Sequence, residues 1–210
     1  MSDSTENIAG NYYNKYEAQN PLSRFLTDNF KSNLLDLIRK SGQQDIHELG
    51  CGEGYLSAFI YRNINPASFR ATDFSEDIIE TAKRLHGDLG ITFAQRSIYD
   101  ITNADAAPLI VCCEVLEHIE NPELALQRIH ALSPEYAVFS VPREPLWRIS
   151  NMLRFKYLAD FGNTPGHIQH WSKNAFLNLI GSYFEIIEIR SPYPWTMLLG
   201  KPRKEAFPGL

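Results

Sequence analysis

Short apolar runs alternate with longer stretches of helical periodicity along most of the chain, the arrangement expected of an α/β fold around a mostly parallel sheet. Strands are predicted at residues 45–49, 68–72, 91–95, 109–113, 136–141, 184–190 and 193–199, and helices at 20–40, 55–63, 75–86, 122–132 and 172–180. In the first helix Pro21 suits the opening turn and Gly42 lies just past the end. Ser75 is the expected N-cap of the 75–86 helix, followed by Glu76 and Asp77 where the helix dipole favours acids. The pattern predicts a single domain over 1–210 with a leading helical cap at 1–42. Its one interruption, 142–171, is rich in proline, glycine, aromatic and basic residues. That insertion is expected to be a substrate lid, since a structureless loop of such length is seldom kept without a role.

Composition narrows the classes. With 44% hydrophobic and 21% charged residues over 210 positions, the chain is an ordinary globular one. A net charge of -5 disfavours an electrostatic grip on phosphate backbones, so a small-molecule substrate is expected rather than nucleic acid. The amino-terminal residues are too polar for a secretory or transit signal, and no apolar run is long enough to span a bilayer. Three cysteines without a CxxC suit no disulfide framework, and a cytoplasmic protein is expected. A monomer and a homodimer are both compatible with the sequence.

The strongest local signal is Glu48-Leu49-Gly50-Cys51-Gly52-Glu53-Gly54 between a predicted strand and helix. Alternating glycines let the backbone turn sharply and approach a ligand closely. A dinucleotide fingerprint would place glycine at 55, where Tyr55 stands, and Glu48 would repel a pyrophosphate while suiting a cationic ligand. A tight βα turn without a ligand is the alternative. Asp73 ends the second strand, where a carboxylate can accept both ribose hydroxyls. Residues 95–100 follow the third strand and offer an apolar wall beside backbone polar groups. Three successive strand ends therefore point to one crevice.

On these residues the chain resembles the class I S-adenosylmethionine-dependent methyltransferases, from about Tyr12 to Ile189. The resemblance implies a Rossmann-like, seven-stranded, mostly parallel sheet with helices on both faces and the last strand antiparallel. It implies S-adenosylmethionine bound across the first four strand ends: methionine over Gly50 and Gly52 beside Glu48, ribose on Asp73, and adenine near Phe74, Ser97 and Ile98. Residues 111–119 are similar to the fourth motif of the ubiquinone-pathway O-methyltransferases, which implies that Cys113 lines the cofactor. Residues 20–24 resemble a leading helix that supplies an arginine to the cofactor carboxylate; Arg24 is displaced by one position from that pattern. Tyr16, with Tyr12 and Tyr13, would cap the cofactor or pack the leading helix.

Methyl transfer from a sulfonium is an in-line displacement, for which alignment can contribute up to ~7–11 kcal/mol. A hydroxyl nucleophile must also lose its proton, to a base or under the influence of a metal. Glu114, Glu117 and His118 stand at i, i+3 and i+4, sharing one face if Glu114 opens a helix. Together with the segment 166–172 they resemble the E-x-x-E-H and H-x-x-x-W patterns of the small-RNA 2′-O-methyltransferases. That resemblance implies a divalent ion, magnesium or zinc, held by Glu114, Glu117, His118 and His167. Without a metal, Glu114, His118 and His167 are the catalytic candidates, and His170 fixes the lid or touches substrate. Residues 142–157 carry Arg143, Arg148, Arg154 and Lys156 against Glu144, a net of +3 that suits an anionic acceptor. The expected function is O-methylation of a small, anionic metabolite. The alternatives are metal-assisted 2′-O-methylation of RNA and a non-catalytic S-adenosylmethionine-binding protein.

Overall fold

The computed structural model describes residues 21–153, 163–164 and 166–204. Seven strands form one sheet: β1 (Asp45–Leu49), β2 (Ser68–Asp73), β3 (Ile91–Gln95), β4 (Leu109–Cys113), β5 (Tyr136–Pro142), β6 (Phe184–Arg190) and β7 (Trp195–Pro202). Among the described residues six helices flank them: α1 (Pro21–Ser41), α2 (Tyr55–Ile64), α3 (Glu76–His86), α4 (Pro122–Ala131), α5 (Leu146–Leu153) and α6 (Lys173–Gly181). The order across the sheet is β3-β2-β1-β4-β5-β7-β6, with β7 antiparallel to both neighbours. This is the expected Rossmann-like sheet with its last strand antiparallel.

Strand alternation sends side chains to two cores. Leu109, Val111 and Cys113 of β4 join Val138, Trp195 and Met197 beneath α1, α2 and α3. Ile110 and Cys112 join Phe139, Val141 and Leu198 against α4 and α6. Strands buried on both faces read as continuous apolar runs, which is why β4 is LIVCC. The exception in β1 is His47, fully buried, whose Nδ1 lies 2.7 Å from the Asp105 carbonyl and Nε2 3.0 Å from Thr72 Oγ1. Burial lowers its pKa, favouring a neutral ring that donates to the carbonyl and accepts from the hydroxyl.

Local signals behave as expected at the helix starts. Ser75 Oγ accepts from Ile78 N at 3.4 Å, and Ser172 Oγ accepts from Ala175 N at 3.2 Å. Two expectations need correction. The segment 142–171 is not wholly irregular, because α5 lies inside it. Nor does Glu114 open a helix: it has φ 60, and a 3-10 turn follows at Leu116–His118. Glu114, Glu117 and His118 therefore do not line one α-helical face.

β1 and β4 are neighbours although β2 and β3 come between them in sequence. The chain runs outward from β1 to β3 and then crosses back to β4. Connections on either side of that junction diverge, which opens a crevice at the carboxyl ends of β1 and β4.

Candidate active site

The glycine loop occupies this crevice. Gly50, Gly52 and Gly54 all have positive φ, at 73, 55 and 81. At Gly50 the demand is also steric, since a Cβ would lie 2.3 Å from Val115 Cγ2. The N–H groups of Gly50 and Cys51 both donate to the Thr72 carbonyl, at 2.7 and 3.0 Å. The next residue of β2 takes over: Asp73 Oδ2 accepts from Gly52 N at 3.0 Å, while Oδ1 accepts from Ser75 N at 3.2 Å. Thr72 and Asp73 thus form a two-residue anchor for the loop. Burial raises the Asp73 pKa, opposed by these backbone hydrogen bonds.

Glu48 is 2% exposed and accepts from Ser57 Oγ at 2.5 Å. Burial pushes its carboxyl up to about 8, against the lowering effect of Ser57 and with a further raise from Asp73. The loop is therefore flanked by two buried acids, one of them held largely neutral. Cys113, at the end of β4, is buried and its thiol is pushed well up by desolvation, so it offers an apolar surface rather than a thiolate. Phe74 is 47% exposed, and its carbonyl accepts from Gln95 Nε2 at 2.9 Å. Ser97 and Ile98 are half-buried after β3, where Ser97 Oγ accepts from Tyr99 N at 3.2 Å. Arg24 is exposed in the first turn of α1. Tyr12, Tyr13, Tyr16, Arg154 and Lys156 lie outside the described residues.

The four residues expected around a metal are divided. Glu114 Oε1 accepts from Ser140 Oγ at 3.1 Å and Oε2 from Trp195 Nε1 at 2.6 Å. Glu117, His118 and His167 instead form their own group, each offering a ligand atom within 4.8 Å of the others. Glu114 is not a member of it. Sequence position alone put Glu114 with Glu117; its left-handed backbone turns it toward β5 and β7 instead. A non-glycine residue at such φ is uncommon and is found at constrained sites.

Chain pairing joins this trio. Glu117 is 1% exposed, and its carbonyl accepts from Ile168 N and Gln169 N at 2.9 and 3.0 Å. His118 Nδ1 donates to the Gly166 carbonyl at 2.9 Å, which leaves Nε2 as the lone-pair nitrogen of the neutral ring. His167 is buried, 4.8 Å from the His118 ring and stacked on Trp147 at 5.9 Å. Trp147 Nε1 in turn donates to Thr164 Oγ1 at 2.9 Å. His170 is exposed and donates from Nε2 to Asn163 Oδ1 at 2.8 Å, outside the trio. A carboxylate and two imidazoles are suitable ligands for zinc, although bonds of about 2.0–2.1 Å would draw the donor atoms closer together than they stand.

Sequence reasoning missed Thr72, Ser140 and Trp195. No short motif marks them, since their importance comes from pairing between strands distant in sequence.

Comparison with known proteins agrees with this architecture. Residues 47–134 match the methyltransferase domain family Methyltransf_12. The ubiquinone biosynthesis O-methyltransferase of Methylococcus capsulatus is 26% identical over 151 residues, covering 64% of this chain. The match covers 63% of that relative, less than two thirds of its length. Magnesium protoporphyrin IX methyltransferase from Synechocystis, solved with bound SAH, superposes with a TM-score of 0.67 at 14% identity, covering 90% of this chain and 91% of that one. The methyltransferase domain of bacterial CtHen1 gives a TM-score of 0.61 at 20% identity, covering 84% and 99%. Over residues 47–134 the chain thus matches a methyltransferase domain, carried on a Rossmann-like sheet with a glycine loop at the end of β1. A second relative, the mitochondrial ubiquinone biosynthesis O-methyltransferase of Candida albicans, is 29% identical over 97 residues, covering 43% of this chain and 29% of that protein.

Proposed function

We propose that the protein transfers the methyl group of S-adenosylmethionine to a hydroxyl of a small acceptor bearing an anionic group. The observation that carries this reading is the His118–His167 pair, formed where residues 166–169 dock on the turn that follows β4. With His118 Nδ1 committed to Gly166, Nε2 is the atom to take the hydroxyl proton, and a neutral imidazole suits that task near neutral pH. His167 orients the partner ring, and Glu114 sets the charge at the crevice floor. Gly50 and Gly52 hold the methionine moiety beside Glu48, and Asp73 holds the ribose. Phe74, Ser97 and Ile98 border the adenine, Cys113 lines the methyl-donor side, and Arg24 and Tyr16 close over the cofactor.

The acceptor is bounded by the leading helical cap (1–42) and the lid (142–171) of a single domain, in a monomer or homodimer. No helix among the described residues is long and apolar enough to cross a membrane, and Cys51, Cys112 and Cys113 are free and buried. We assign the protein to the reducing cytoplasm. The test is release of S-adenosylhomocysteine across hydroxylated acids and their amine and neutral counterparts. Turnover of a hydroxylated acid is expected, with loss in His118→Asn. Turnover of amines alone would overturn O-methylation, and cofactor binding without turnover of any acceptor would favour the non-catalytic reading.

One observation supports a second reading, the convergence of Glu117, His118 and His167 within 4.8 Å. These three would hold a magnesium or zinc ion, which would supply Lewis-acid activation of the acceptor hydroxyl, as in metal-assisted RNA 2′-O-methylation. Metal analysis of the wild type and His167→Ala separates the readings. Absence of bound or addable metal, with activity unaffected by chelator, removes this one.

A further inference from the structure

Two consecutive residues just past the carboxyl end of β5 carry buried polar atoms with no hydrogen-bond partner among the described residues. Arg143 Nε and Glu144 Oε1 are both desolvated and lack a hydrogen-bond partner. Their backbone is well fixed: Arg143 N donates to the Pro194 carbonyl at 2.9 Å, and Glu144 N donates to the Trp171 carbonyl at 2.9 Å. Arg143 also forms a parallel bridge with Trp171, and its carbonyl accepts from Trp147 N at 3.0 Å. The loss is therefore not that of a loosely held loop.

Adjacent opposite charges would ordinarily neutralise each other, yet these two do not pair. Glu144 is drawn elsewhere, since its Oε2 accepts from Arg148 N in the first turn of α5 at 3.4 Å. Burial raises its pKa, against the lowering influence of His170 and Arg148. The result, among the described residues, is a guanidinium Nε without an acceptor beside a carboxyl oxygen without a donor. Buried groups in that state are rare in folded proteins and are commonly completed by a ligand or an ordered water. Their position is that of an acceptor site, because β5 lies next to β4 and its Ser140 touches Glu114. Trp147, one turn beyond Arg143, stacks on His167.

We propose that Arg143 and Glu144 are the acceptor's polar contacts: the guanidinium takes a carboxylate or phosphate, and Glu144 Oε1 accepts from an O–H or N–H of the same molecule. This deepens the acceptor reading above and rests on it. The forked guanidinium matches the planar or tetrahedral oxygens of either anion, which a lysine would meet as a point charge only.

The test is calorimetric binding to the wild-type protein saturated with S-adenosylhomocysteine. The probes are 4-hydroxybenzoate, 4-hydroxyphenyl phosphate and the neutral 4-hydroxybenzamide. At least one anion is expected to bind ten times or more tightly than the amide, and the better of the two tells carboxylate from phosphate. Arg143→Met, which keeps the apolar stem, should erase that preference, while Arg143→Lys retains part of it. Glu144→Gln should weaken the anion severalfold. Unchanged S-adenosylhomocysteine affinity in each variant verifies that the fold is intact. Equal binding of anion and amide, no detectable anion binding, or an Arg143→Met protein that binds the anion like the wild type would overturn the proposal and leave the methyltransferase reading standing. Failure of the wild type to bind S-adenosylhomocysteine would instead strike that reading.

Discussion

Glu48 offers the sharpest quantitative test of how the crevice is built. Its carboxyl is raised from 4.5 to about 8, chiefly by burial, so the folded protein keeps a proton that the unfolded chain releases. Stability from this group is fully present below about pH 4.5 and is lost progressively as pH rises toward 8. Taking those two values, the loss between pH 5.5 and 8.5 is about 3 kcal/mol, since each unit between them costs about 1.4 kcal/mol. Urea unfolding of wild type and Glu48→Gln at both pH values isolates the effect. The glutamine is nearly isosteric and cannot ionise, while other titrating groups are shared by both proteins. The variant should lose less stability than the wild type over this interval, by roughly that amount. Parallel pH profiles would mean that Glu48 is already ionised in the folded protein, and the account of a neutral acid beneath the glycine loop would fail.

Asp73→Ala removes the acceptor for Gly52 N and Ser75 N, and should weaken S-adenosylhomocysteine binding by about 1–3 kcal/mol in calorimetry. Gly50→Ala forces a side chain into left-handed backbone and against Val115, so at least about 1–2 kcal/mol of stability should be lost together with cofactor affinity. Trp195→Phe removes the donor to Glu114 Oε2, and turnover should fall at saturating acceptor while S-adenosylhomocysteine affinity holds. Equal losses in both would make Trp195 a structural residue only. Acidification below pH 6.5 should destabilise the wild type through His47, whose folded pKa is lowered, and His47→Gln should flatten that limb of the profile in thermal melts.

Much of this molecule is written locally. The five-residue runs of β1, β3 and β4, the Ser75 cap and the glycines of the loop leave marks within a few residues of chain, so periodicity and turn chemistry reveal them. Acids at the ends of β1 and β2 could likewise be placed, because strand direction dictates where each chain end emerges. The active centre was less legible around Glu114. Its spacing from Glu117 suggested a shared helical face, but a positive φ and the hydroxyl and indole donors of Ser140 and Trp195 turn it away.

What the sequence alone determined was the seven strands, five of the six helices described and the glycine loop, together with the class of chemistry expected of them. Only the tertiary structure decided that β4 returns beside β1, that β7 inserts between β5 and β6, and that residues 166–169 dock on the Glu117–His118 turn. These arrangements bring together side chains dozens of residues apart. Their energy resides in pairing and packing across the sheet, which local propensity does not encode.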